Sequence, residues 1–124
     1  MSDSDAERAR AEQSLLDQLA DLVLELASDG RILYANEAVE RLLGLSPAMV
    51  RGLSFLEVLT GETRDPVIAA LRKVVETGET TSITFDALRS DGARIALEAA
   101  LRARAPGPLG PTITAVCRDV THHV

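Results

Sequence analysis

Aromatic residues are nearly missing from this chain. Tyr34, Phe55 and Phe85 are all it has, 2% of its residues, and there is no Trp. A core so short of rings must be aliphatic, and the 46% apolar content supplies Leu, Val, Ile and Ala for it. Cysteine is reduced to Cys117, which excludes an internal disulfide and any tie to an oxidising compartment. A reducing cytoplasm is the expected location. No run approaches the ~18 apolar residues of a membrane span, and no basic start followed by an apolar block marks a secretory signal. Basic residues are outnumbered by acidic ones, 13 to 19, for a net charge of −6. That balance repels phosphate backbones and argues against direct nucleic-acid binding.

Catalytic groups are equally sparse. Both histidines, His122 and His123, lie in the last three residues. As neighbours they point different ways, and a metal site would need further ligands. Gly52-Leu53-Ser54-Phe55-Leu56 lacks the second Gly of a nucleophile elbow, and no His in the body of the chain could act as its base. The sole lysine, Lys73, falls inside a helical pattern rather than in a phosphate-binding Gly loop. No enzymatic activity is expected.

What is present is pattern. At 124 residues the chain is expected to form one domain behind an acidic leader. Six acids against Arg8 and Arg10 give residues 1–21 a net −4, which leaves −2 for the other 103 residues. Ala6 to Leu19 favours helix, with Leu15, Leu19 and Leu22 stepping by four and three. Such a stripe serves equally as a helix laid on its own domain or as a short dimer seam.

Two apolar runs, Leu22–Ala27 and Ile32–Ala35, flank Ser28-Asp29-Gly30 and predict a hairpin. Asn36 reads as the N-cap of a helix carrying Ala38, Val39, Leu42 and Leu43, stopped by Gly44. Ser46-Pro47 starts another short helix that ends near Gly52. Phe55, Leu56, Val58 and Leu59 make a small apolar turn. A longer helix is predicted from Asp65-Pro66 to Gly78, with Val67, Ala70, Leu71, Val74 and Val75 on one stripe. Thr80–Arg89 alternates as a strand. Ser90-Asp91-Gly92 is a second turn. The next strand puts Ile95, Leu97, Ala99, Leu101 and Ala103 on one face and Arg94, Glu98, Arg102 and Arg104 on the other. Pro106–Pro111 reads as a loop, and Thr112–Val120 as a last strand. Glu25, a lone charge in an apolar strand, is expected on the outer face, paired with an Arg of the sheet such as Arg102 or Arg118. The order of elements is that of an α+β fold with helices on one sheet face.

Four motifs in this order resemble a PAS domain, a sensor and dimerisation module of signalling proteins. They are Asp29–Asn36 (first hairpin), Leu42-Leu43-Gly44-Leu45-Ser46 (short helix and turn), Ser90-Asp91-Gly92 (second hairpin) and Arg118-Asp119-Val120-Thr121 (terminal signature). The resemblance runs from about Leu16 to Thr121. Ala27 departs from it, since many members carry Asp there. The resemblance implies a five-stranded antiparallel sheet in the order 2-1-5-4-3, short helices on one face and an N-terminal helix flanking the other. It divides the chain into a flanking or dimerisation helix (1–21), the PAS domain (22–121) and the start of an output linker or tail (122–124).

The resemblance also implies a function. A PAS signalling domain would act by protein contact and homodimerisation, with Leu15, Leu19 and Leu22 at the interface. It would relay a conformational signal through Asp119 and Thr121 to an output domain such as that of a sensor histidine kinase in a two-component system. The alternative is a receptor holding an apolar small molecule between the long helix and the sheet, lined by Leu42, Phe55, Ile68, Leu71, Val75, Ile83, Phe85 and Leu97. No cofactor is expected. The family's flavin photosensors need a Cys after the second short helix, where Arg51–Leu56 has none. Its haem sensors need a His on the long helix, and Asp65–Gly78 has none. Cys117 reads as a small buried hydrophobe.

Overall fold

The computed structural model describes residues 21–108 and 110–121. The expected N-terminal helix, with Leu15 and Leu19, and the His122–His123 pair lie outside the described residues. Five strands form one antiparallel sheet: β1 (Leu22–Ala27), β2 (Ile32–Ala35), β3 (Thr81–Leu88), β4 (Arg94–Gly107) and β5 (Gly110–Asp119). Their order is β2-β1-β5-β4-β3, as the motifs implied.

Alternation along the strands fixes the register. Leu24, Ala115 and Leu101 form one row across β1, β5 and β4, and Leu22, Cys117 and Ala99 form the next. All six side chains are buried on the same face. A slip of one residue in any strand would turn that apolar set to water.

The helical middle covers this face. Helix α1 (Ala38–Leu43) buries Ala38, Val39, Leu42 and Leu43 and ends on Gly44 at φ 73°. Only glycine takes that left-handed turn without cost. Helix α2 (Pro47–Val50) is capped by the Ser46 hydroxyl, which accepts the Met49 N–H at 3.2 Å. A 3-10 turn (Phe55–Val58) opens on a reciprocal Ser54–Glu57 cap and buries Phe55 and Val58. Helix α3 (Gly61–Thr77) lays Val67, Ala70, Leu71 and Val74 against β3, β4 and β5. The rings of Phe55 and Phe85 meet edge to face at 5.3 Å and 88°, at the centre of the core.

Three local expectations are corrected. Helix α3 begins at Gly61, not at Asp65-Pro66, so Pro66 sits inside it. Its ring removes the N–H that would meet the Glu62 carbonyl. Both residues are exposed, so water can satisfy that carbonyl. Pro106–Pro111 is not a free loop: β4 runs on to Gly107, which pairs with Gly110 across a tight, bulged hairpin. Asn36 does not cap α1. The capping position is Glu37, with no side-chain bond, and Asn36 turns back onto β1. Its Oδ1 accepts the Val23 N–H at 3.1 Å and its Nδ2 donates to the Asp21 carbonyl at 3.0 Å. One side chain thereby continues the β2 ladder past its end.

Asn36→Ala should destabilise the domain by about 1–3 kcal/mol, since both backbone groups lose their partner. Urea titration measures the loss, and hydrogen exchange should show the Val23 amide opening first. Unchanged protection at Val23 would mean that the bridge is not what holds this strand start.

Candidate functional site

Two places combine positioned polar groups with access, and each is set by the elements around it. The first is the exit of β5. The strand ends at Asp119, opposite Leu97 of β4. The Asp119 carboxylate accepts the Thr121 N–H at 2.8 Å, which turns the chain. The turned Thr121 brings its hydroxyl to the Ala96 N–H at 2.9 Å, while the Val120 N–H donates to the Ala96 carbonyl at 2.9 Å. Both backbone groups of one β4 residue are therefore held by the two residues that leave the sheet. The hydroxyl completes a ladder that has run out of strand. Asp119 and Thr121 grip backbone, and no arginine enters the contact.

The same device opens the two hairpins. The Asp29 carboxylate accepts the Arg31 N–H at 3.0 Å, and that of Asp91 accepts the Ala93 N–H at 2.9 Å. The Ala93 bond, with Arg89 assisting, holds the Asp91 carboxyl below its ordinary range. The neighbouring Arg89 guanidinium reaches across to α1 and donates to the Arg41 and Leu42 carbonyls at 2.8 and 2.7 Å. A cation on the last carbonyls of a helix suits its dipole.

The second place is the flank of α3. Ile68 and Val75 stand one step around the helix from the buried stripe, and Leu71, at the edge of that stripe, joins them on the side of the β1–β2 turn. With Leu56 of the 3-10 turn they floor a cleft of about 420 Å³. Ser28 and Asp29 of the turn, and Arg72 and Glu76 of α3, form its rim.

The structure thus divides the expected ligand-lining set. Ile68, Leu71 and Val75 face the cleft. Leu42, Phe55, Phe85 and Leu97 are packed into the core, and Ile83 lies half-buried at its edge. Phe55 and Phe85 pack edge to face within that core. The rim residues had not been singled out from sequence. The signal was there: Ile68, Leu71, Arg72, Val75 and Glu76 repeat at one helical face's spacing.

Two outer-face expectations also change. Glu25 does pair with an arginine of the sheet, but with Arg104 of β4 rather than Arg102 or Arg118. It accepts the Thr114 hydroxyl at 2.7 Å and meets Arg104 at 3.5 Å, while Arg118 pairs with Glu98 at 3.1 Å. Thr114 stands beside Glu25 in the register, and the longer reach to Arg104 is diagonal. Leu22, expected at a dimer seam, is fully buried in the domain's own core beside Cys117, so it is withdrawn from any exposed seam.

Burial, with the charge of Asp21 nearby, pushes the Cys117 thiol from 9.0 up to about 12. The thiol is therefore neutral and inert at pH 8. Iodoacetamide should label it only through unfolding, at a rate that rises with urea. The sign of the pH dependence follows: an unfolded chain ionises this thiol first, so stability is full below pH 9 and is lost between pH 9 and about 12. That alkaline slope should be shallower in Cys117→Ala. Rapid native labelling would contradict the buried, neutral thiol.

Among the described residues, no helix is long and apolar enough to cross a membrane, and no three His, Cys, Asp or Glu gather where they could hold a metal.

Comparison with known proteins agrees with this geometry. A family model described as the PAS fold matches residues 16–124. Among curated proteins no sequence matches. Among solved structures, the PAS domain of an HTR-like protein from Haloarcula marismortui superposes with a TM-score of 0.70 at 22% identity, covering 96% of this chain and 100% of that one. The PAS-B domain of Drosophila melanogaster Cycle, solved with bound ethylene glycol, gives 0.72 at 19% identity, over 79% of this chain and 98% of that one. A light-oxygen-voltage domain studied with a flavin analogue gives 0.70 at 21%, over 88% and 84%.

Proposed function

The chain belongs to the PAS fold family, and from that membership we propose that it is a sensory signalling domain that works as a homodimer through protein contacts, without a cofactor. The observation that carries this reading is the exit of β5. The Asp119 carboxylate turns the chain by accepting the Thr121 N–H, and the Thr121 hydroxyl and Val120 N–H tie the departing chain to the backbone of Ala96, so a shift of β4 against β5 moves whatever follows Thr121. A two-state output, such as a histidine kinase region, could respond to such a shift if the signal favours one state. The acidic leader 1–21 would supply the dimer contact through Leu15 and Leu19. The cytoplasm is the compartment proposed for it.

Two measurements test the proposal. In sedimentation, the wild type should run at twice 13.2 kDa, and Leu15→Asp with Leu19→Asp should run as a monomer. With a histidine kinase catalytic region joined after Thr121, Asp119→Ala should leave the fold nearly intact and make autophosphorylation indifferent to signal. Normal regulation by Asp119→Ala would remove the coupling role. A small-molecule receptor is the second reading, favoured by the apolar cleft on α3.

A further inference from the structure

We infer that the cleft on the α3 flank is a binding site for a small apolar molecule carrying a protonated amine, a site outside the space between helix and sheet. The inference rests on the receptor reading and relocates its site. Between helix and sheet, Leu42, Phe55, Phe85 and Leu97 are buried in the core, and the two rings meet edge to face. The α3 residues Ile68, Leu71 and Val75 instead face a cleft of about 420 Å³ that Leu56 closes from a second element and the β1–β2 turn from a third. That volume lies in the range of about 300–1,000 Å³ typical of small-ligand sites, and an apolar floor with a few polar groups is their usual lining.

The rim selects the ligand's charge. Among the lining residues, Asp29 and Glu76 bring two carboxylates against the guanidinium of Arg72, while Arg64 is engaged with the Leu56 carbonyl at 3.0 Å, within a chain of net charge −6. A cationic head at the mouth is attracted and an anionic one repelled. Asp29 uses Oδ1 to hold the turn through the Arg31 N–H, so a ligand drawn to this carboxylate would meet a side chain already fixed at its base. The site is also placed to act. It joins the end of β1 to α3, and β1 pairs along its length with β5, whose far end is the Asp119–Thr121 exit.

The test uses the full chain with phenethylamine as probe and hydrocinnamate as an anion of the same apolar body, followed by backbone amide NMR. Phenethylamine should give saturable shifts centred on Asp29, Leu56, Leu71 and Val75, and hydrocinnamate should bind more weakly. Asp29→Asn combined with Glu76→Gln should weaken the amine by about fivefold, the scale of exposed charge pairs. Asn keeps the oxygen that holds the turn, so this variant should melt like the wild type. Equal or tighter binding of hydrocinnamate overturns the charge assignment. Shifts centred on Phe85 and Leu97 overturn the cleft but leave a receptor with an interior site. No saturable shift with either probe overturns the site.

Discussion

Replacing Phe55 by Ala should cost about 3–5 kcal/mol, a large part of the 5–15 kcal/mol that holds a typical domain. Phe55 is 1% exposed and stands edge-on to Phe85 at 5.3 Å. It opens the 3-10 turn, and its own N–H donates to the Gly30 carbonyl at 2.8 Å. Backbone and ring together therefore join the β1–β2 hairpin, the 3-10 turn and β3. The scarcity of rings raises the cost. Tyr34, the one other aromatic besides Phe85, is 47% exposed on the edge strand, and the Leu and Val around Phe55 are too small to refill its volume without shifting backbone. Phe55→Leu keeps much of the volume and should cost clearly less, since only the ring contact and part of the fill are lost. Urea unfolding of both variants measures the difference. A loss below about 1 kcal/mol in Phe55→Ala would show that the core collapses around the gap and that the aromatic pair is dispensable.

The parts of the fold that could be read from sequence are those where neighbours in the chain decide the outcome. Leu97, Ala99 and Leu101 alternate with Glu98, Ala100 and Arg102, and period two admits one buried face. Asp29-Gly30 and Asp91-Gly92 carry both the side-chain acceptor and the left-handed residue that a hairpin requires, and the glycines sit at φ 92° and 88°. Gly44 and Ser46-Pro47 stop and start helices by equally local means. The misread residues answer to distant partners. Asn36 has the right chemistry for a helix cap, but Asp21 and Val23 offer it two backbone groups from across the sheet. Pro66 has the chemistry of a helix's first turn, and here the exposed face tolerates it one turn later. Glu25 was placed on the correct face, yet the diagonal reach to Arg104 depends on three-strand register that a single strand does not carry.

The candidate sites divide the same way. Asp119 and Thr121 lie two residues apart, so an acceptor and the N–H it turns towards were visible as a local unit. The grip of the Thr121 hydroxyl on Ala96, 25 residues back, was not. The cleft was half visible. Ile68, Leu71 and Val75 form a stripe that any helical wheel displays, but which of two adjacent stripes meets the sheet depends on how α3 is rotated. That rotation is set by Val67, Ala70 and Val74 packing on three strands.

Gly44→Ala should destabilise by about 2–3 kcal/mol, and adding Ser90→Ala to it should cost almost nothing more. Gly44 ends α1 at φ 73°, a conformation that costs a residue with a Cβ about 1–2 kcal/mol. A Cβ there would also stand 2.3 Å from the Ser90 hydroxyl oxygen, where both cannot remain. That hydroxyl is engaged, donating to the Gly44 carbonyl at 3.1 Å, while the Ser90 N–H donates to the Leu43 carbonyl at 2.8 Å. Added bulk therefore imposes backbone strain and expels a hydroxyl from its bond, loosening the clasp by which the β3–β4 hairpin holds the end of α1. Ser90→Ala alone loses one exposed hydrogen bond, about 0.5–1.5 kcal/mol. In the double variant the oxygen is gone, and the new Cβ meets the Ser90 Cβ position at 3.4 Å, an ordinary close contact. The remaining cost is chiefly the left-handed φ, so the two losses should fall short of their sum by about 1 kcal/mol, beyond the scatter of independent sites. Urea midpoints of the four proteins complete the cycle. If the losses add, the clash with Ser90 is not what makes glycine necessary here, and the left-handed φ alone explains it.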